Sequence, residues 1–152
     1  MAAGFFVITA PVVEPMLGHG AAERARLVNQ PRAILLKSGR AVTIEMIAKA
    51  TGRIQAAVRQ WITRQRNSGA LVTVTHQGTV LVPTFQLDDA FELDVDVSAV
   101  VARLVGHGMS GWAVWDWFAT PNTWLDGATP QDALAAGGTD ALHGAVSGLF
   151  QE

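Results

Sequence analysis

The sequence predicts a mainly α protein in two parts. Two short helices joined by a tight turn lead into a β-hairpin, and a small all-helical C-terminal domain follows. Three observations carry this. Apolar residues recur at helical spacing on both sides of a turn glycine between Val42 and Trp61. Leu71, Val72 and Val74, then Val80, Leu81 and Val82, form β-favouring runs around His76-Gln77-Gly78. From Ser98 onward, Ser, Thr or Asp stands ahead of each apolar segment, and Gly or Pro closes it.

Composition bounds what such a chain can do. Its 152 residues support one domain or two small ones, and 49% hydrophobic content supplies a core. A charged content of 16% is low for a free monomer and points to a covered partner surface. Cysteine is absent, which excludes disulfides and thiolate metal sites. His19, His76, His107 and His143 show no ligand-like spacing, so neither a metal nor a cofactor is expected. No apolar run approaches the ~18 residues of a membrane span. The opening MAAGFFVITAPVVEPM has no basic residue ahead of its apolar core, unlike a secretory signal. The expectation is a soluble, cytoplasmic protein.

Net charge of −2 conceals a strong asymmetry. From Ala21 to Ser68, ten Lys or Arg face Glu23 and Glu45, a balance of +8. From Gly69 to the end, Arg103 alone faces ten carboxylates, a balance of −9, and Glu14 completes the total. A basic first half suits phosphate contact, whereas the acidic half would face away from nucleic acid.

Residues 1–20 read as an N-terminal arm. Its FFVITAPVV is an extended arm, a short edge strand, or a segment that packs on a second copy. Residues 21–87 read as the next domain. Within 21–39 a helical pattern contains Pro31, which is tolerated only in a first turn, so a break is expected near Asn29-Gln30. Ala33, Ile34, Leu35 and Leu36 would supply apolar surface, with Arg24, Arg26, Arg32 and Lys37 outward.

Thr43 is the expected N-cap of the following helix, with Glu45 in its first turn and Ile44, Ile47 and Ala48 on one face. Gly52 permits the left-handed conformation that ends it. A second helix is expected from about Ile54 to Ser68, burying Ile54, Val58, Trp61 and Ile62. Ala48, Gly52, Val58 and Trp61 match the pattern of the bacterial helix-turn-helix, which this stretch resembles. That motif needs a small residue at the helix crossing, Gly four positions later, and apolar residues ten and thirteen positions after the first. Thr51 and Arg53 depart from the usual apolar choice there.

The resemblance implies that the second helix enters the major groove. Arg53, Gln55, Ala56, Arg59 and Gln60 would then reach base edges, since Arg pairs with guanine and Gln with adenine. Arg64 and Lys49 would contact phosphates. The hairpin after the second helix makes the expected arrangement a winged helix-turn-helix, although its loop brings little positive charge. Such a module is expected to act as a homodimer on two-fold sites.

Residues 88–97, rich in carboxylates, read as an acidic linker. Residues 98–152 read as a helical interaction domain. Asp96 or Ser98 would cap its first helix, which buries Val97, Val100, Val101, Leu104 and Val105. Ser110 would cap the tryptophan-rich second, Thr129 with Pro130 and Asp132 the third, and Thr139 the last, to about Phe150.

GWAVWDWFATPNTWLDGATPQDALAAGG resembles the C-terminal toxin-binding domain of Xre/MbcA/ParS antitoxins. The shared landmarks are Trp117-Phe118, Pro121-Asn122, Leu125-Asp126-Gly127, Pro130 with Leu134, and Gly137 or Gly138. The likeness covers about Ser98 to Phe150, and the winged hairpin departs from the family's usual N-terminal domain. The sequence offers no nucleophile with a base, phosphate-binding glycine loop or metal cluster, so an enzyme is not expected. The likeness implies a bacterial antitoxin. Its C-terminal domain would cover the active site of a RES-domain, NAD-consuming toxin, and its N-terminal domain would repress the operon by binding operator DNA. Trp112, Trp115, Trp124, Leu125 and Phe150 are the expected toxin contacts, because interfaces favour aromatic anchors. The alternative is a stand-alone winged-helix regulator whose helical half only dimerises.

Overall fold

The computed structural model describes residues 32–38 and 40–151. The chain divides into two compact units, Met1–Ser38 and Gly39–Glu152. In the first, residues 32–38 are helical, and the Ser38 hydroxyl donates to the Ile34 carbonyl (2.7 Å). Ile34, expected among the apolar supports, is exposed. The expected N-terminal arm and the break at Asn29-Gln30 lie outside the described residues.

The second unit is mainly helical with a small three-stranded antiparallel sheet. Strand β1 (Ala41–Thr43) runs directly into α1 (Ile44–Thr51). Thr43 is the N-cap, its Oγ1 accepting the Met46 amide (3.1 Å). Glu45 in the first turn and Lys49 in the last both complement the helix dipole. Gly52 closes the helix at φ +74°, where a side chain would be strained.

Helix α2 (Gln55–Asn67) follows. Its N-cap, Ile54, is extended and 72% exposed, so it stands before the helix and does not join the buried face expected of it. Val58 and Ile62 form that face, with Trp61 half-buried beside them. They pack on Ile47 and Ala48 of α1, and Val42 and Val82 of the sheet complete this core.

Strands β2 (Val74–His76) and β3 (Thr79–Pro83) form the expected hairpin. Its two-residue turn places Gln77 and Gly78 at φ +51° and +78°, the left-handed pair that matches strand twist. Val74 pairs with Leu81 and His76 with Thr79. Leu71 and Val72, expected in the first strand, are buried but precede β2. On its other edge β3 pairs with β1, Val42 opposite Val82, giving the order β1-β3-β2. No sequence signal announced β1, because three residues are too few to display alternation.

The expected acidic linker is a packed turn. Leu87 and Leu93 form an antiparallel bridge. Asp88 Oδ1 accepts the amides of Ala90 (2.8 Å) and Glu92 (3.0 Å). Leu87, Phe91 and Leu93 lie against the core of α1 and α2. The carboxylates dominate the composition of this stretch, yet apolar residues alternate among them and decide its structure. Helix α3 (Val95–Gly106) is capped by Asp94, whose Oδ1 accepts the amides of Asp96 and Val97, ahead of the expected Asp96 or Ser98.

The remaining helices follow expectation closely. Helix α4 (Gly111–Ala119) is capped by Ser110, and α5 (Pro130–Ala135) by Thr129 with Pro130 in its first turn. A short 3-10 turn, Thr123–Leu125, lies between them. Helix α6 (Thr139–Phe150) is the last. Its N-cap is Gly138, not Thr139, since the Gly138 carbonyl already accepts the Leu142 amide (3.0 Å). Val100 and Leu104 of α3, Phe118 of α4 and Leu142 and Val146 of α6 form a second core. No helix among the described residues is long and apolar enough to cross a membrane.

The two cores meet along Leu71-Val72. Leu71 belongs to the first core and Val72 to the second. Gln86, 1% exposed, clamps the junction. Its Oε1 accepts the Val72 amide (2.7 Å), and its Nε2 donates to the carbonyls of Val72 (2.9 Å) and Pro83 (3.1 Å). At the start of α4, Gly111 lies against the Thr73 backbone so closely that a Cβ would collide with the Thr73 carbonyl oxygen. Across residues 88–97, Gly111 thus meets Thr73, and Val72 packs with the C-terminal helices. Gly111→Ala should lower stability by about 1–3 kcal/mol, since backbone atoms yield less readily than side chains. Urea denaturation measures it; an unchanged midpoint would show that α4 shifts freely.

Candidate functional site

Helix α2 has a buried face and a free one. The free face presents Ala56, Arg59, Gln60, Thr63 and Arg64, which together line a shallow surface groove. Their spacing of three, four and seven puts them on one side of the helix. Four of these five were expected from the sequence. Thr63 was missed, although it lies four residues after Arg59, whose carbonyl accepts its hydroxyl proton (2.9 Å). Arg66 points elsewhere, its Nη1 donating to Thr73 Oγ1 (3.4 Å).

The start of α2 forms a second groove, lined by Glu45, Ala48 and Lys49 of α1 together with Gly52, Arg53, Ile54 and Gln55. Lys49 and Gln55 are exposed. Arg53 is held more firmly than a free base-reading side chain would be. Its Nε donates to Thr51 Oγ1 (3.3 Å), and its Cζ lies 5.4 Å from the centre of the Trp61 ring. Its Nη2 is 3.8 Å from Glu92 Oε2. Thr51, a departure from the usual motif residue, thus orients Arg53, the other departure. The first turn of α2 carries no acidic residue, and its last turn carries Arg64 and Arg66.

The acidic half contributes no cation to this surface. Its single arginine, Arg103, ties α3 to α6, donating to the His143 carbonyl (3.0 Å) and to Ser147 Oγ (3.0 Å). Among the described residues, no group of three or more His, Asp or Glu could hold a metal ion.

The aromatic residues expected as toxin contacts do not form one surface. Trp115 is 2% exposed and Leu125 9%, so both belong to the interior and must be removed from that list. Each lies on the inward side of its turn, a distinction that i,i+3 spacing alone does not make. Trp112 is half-buried and stacks on Trp115 at 5.8 Å. Phe150 is half-buried and stacks on His107, ring centres 3.7 Å apart. Trp124 alone of the five stands out, 64% exposed. Its indole lies directly across Gly148 of α6, where a Cβ would collide with the ring. Leu149, next along α6, is also exposed.

A scan against protein-family profiles finds no match, and no curated protein matches the sequence. Among solved structures the chain is similar to Rv2175c, determined by NMR. The TM-score is 0.57 at 21% identity, and the match covers 72% of this chain and 81% of that one. The likeness is one of fold.

Proposed function

We propose that the chain is a sequence-specific DNA-binding regulator. In this reading α1, the Gly52 turn and α2 are a helix-turn-helix, and the β2–β3 hairpin is its wing. One observation carries it: α2 is locked by Val58 and Ile62 on one side and presents Arg59, Gln60, Thr63 and Arg64 on the other. A rigid helix with a free face of guanidinium and amide groups fits the major groove, where Arg and Gln read base edges. The hairpin turn, His76-Gln77-Gly78, carries no Lys or Arg, so the wing's part is to brace α2. The reading assigns no catalysis to the chain.

Arg59→Ala should weaken operator binding by about 1–3 kcal/mol and relax preference at one base pair. Arg64→Ala should instead weaken all sequences alike and reduce the salt slope by about one. Titration of the chain with its own promoter fragment measures both. Absence of any complex at low salt would sink the reading.

The functional unit is taken to be a two-fold dimer, because one module reads too few base pairs for specificity. Sedimentation should show a dimer at concentrations of about ten micromolar and above. A monomer throughout that range counts against the two-fold site.

A second reading has one observation in its favour. The exposed Trp124, lying across Gly148 of α6, is the kind of aromatic anchor a protein partner covers. Together with the resemblance to Xre/MbcA/ParS antitoxins, it supports an antitoxin that also neutralises a RES-type, NAD-consuming toxin. Co-expression with such an enzyme from a neighbouring gene tests this. Stable co-purification through α3 to α6 supports it, and failure of the pair to associate leaves the regulator alone.

A further inference from the structure

The turn that follows the hairpin brings a carboxylate to the proposed DNA face. Glu92 Oε2 stands 3.8 Å from Arg53 Nη2. That separation suits an ion pair but is too long for a hydrogen bond. Nη2 is shielded from solvent and donates no hydrogen bond. The rest of the guanidinium is fixed by Thr51 Oγ1 and the Trp61 ring. Arg53 therefore holds a charged donor in place with its hydrogen-bonding capacity unmet.

Glu92 is fixed too. Its amide donates to Asp88 Oδ1 (3.0 Å), and its carbonyl accepts the Asp88 amide (2.8 Å). The residue before it, Phe91, sits at φ +60°, a conformation that a bulky side chain disfavours, while packing on the α1–α2 core. Backbone held against its preference is characteristic of positions with a task. The Glu92 side chain is itself 58% exposed, so little packing is lost when it moves.

We propose that Glu92 is an intramolecular occupant of a phosphate position on Arg53. A DNA backbone phosphate displaces it, and the exchange sets the affinity and salt dependence of binding. The proposal rests on the DNA-binding reading above. A guanidinium already neutralised by a carboxylate adds little to counterion release when it meets a phosphate. Freed from that carboxylate, it adds a full contact.

The test uses the full chain, a random-sequence duplex of about twenty base pairs, and a salt series, because phosphate contacts dominate non-specific binding. E92Q should steepen the slope of log affinity against log salt by about 0.9, which makes its advantage over wild type grow about three- to fourfold from 200 to 50 mM salt. E92A should behave alike, and both should melt with wild type. In an R53Q background E92Q should change the slope little, since the group that Glu92 occupies is gone. An equal gain from E92Q in both backgrounds would mean general repulsion and overturn the proposal, as would a slope unchanged in either neutral variant. If wild type itself binds no duplex at low salt, the DNA-binding reading falls and this proposal falls with it. If wild type binds and E92Q matches it, only this proposal falls.

Discussion

Gln86→Leu is expected to destabilise the protein by about 3 kcal/mol or more, because three buried backbone groups lose their partners and each costs about 1–3 kcal/mol when left unpaired. The groups are the Val72 amide, the Val72 carbonyl and the Pro83 carbonyl. Leucine fills nearly the same volume, so a cavity does not confuse the result. Water cannot readily replace the amide, since Gln86 is 1% exposed. The position also joins the two cores, one on each side of Leu71-Val72. Loss of the clamp should therefore loosen the α1–α2 core as well as the C-terminal helices. Urea denaturation followed by tryptophan fluorescence and by far-UV circular dichroism measures this. Coincident transitions in wild type, displaced together in the variant, are the expected result. Two separated transitions in wild type would show that the halves unfold independently and that Gln86 is only a local tie.

The contrast between what the sequence disclosed and what it did not has a physical pattern. Local signals were legible. Thr43, Gly52, Ser110, Thr129 and the Gln77-Gly78 turn all act through backbone groups within a few residues, and each does what its type and position imply. The exposed face of α2 was legible for the same reason, because helical spacing alone places Arg59, Gln60 and Arg64 together. Long-range partners were not. Strand β1 exists because β3, forty residues later, offers it an edge. Gln86 reads as an ordinary polar residue until the Val72 backbone is placed beside it. Gly111 reads as a helix-start glycine until Thr73 is found against it. The turn at 88–94 misled through composition: the Asp88 and Asp94 carboxylates accept backbone amides, and Leu87, Phe91 and Leu93 pack on the α1–α2 core. Arg53 and Glu92 are thirty-nine positions apart and of ordinary type, so nothing in the chain announced their meeting.

The tryptophans give the second large effect, and they also decide between the two readings of the C-terminal half. Trp115→Ala should cost about 3–5 kcal/mol, since a fully buried indole is replaced by a void that neighbours fill only in part. Trp115 is 2% exposed and stacks with Trp112, so both its area and its ring contact are lost. Trp124→Ala should behave differently. Its ring is 64% exposed and lies across Gly148. Surface changes of this kind usually stay within about 0.5 kcal/mol. Melting temperatures of the two variants should then diverge widely. If the C-terminal half holds a protein partner through this surface, Trp124→Ala should keep its melting temperature and lose about 2 kcal/mol or more of partner affinity, as truncated aromatic anchors do. If the half serves only to brace the proposed DNA-binding part, Trp124→Ala should leave DNA affinity, oligomeric state and stability unchanged. Trp115→Ala would then impair DNA binding through unfolding alone, in proportion to the fraction unfolded at the assay temperature. A Trp124→Ala variant that melts as early as Trp115→Ala would place the exposed indole among the structural residues and remove the main support for a partner at that surface.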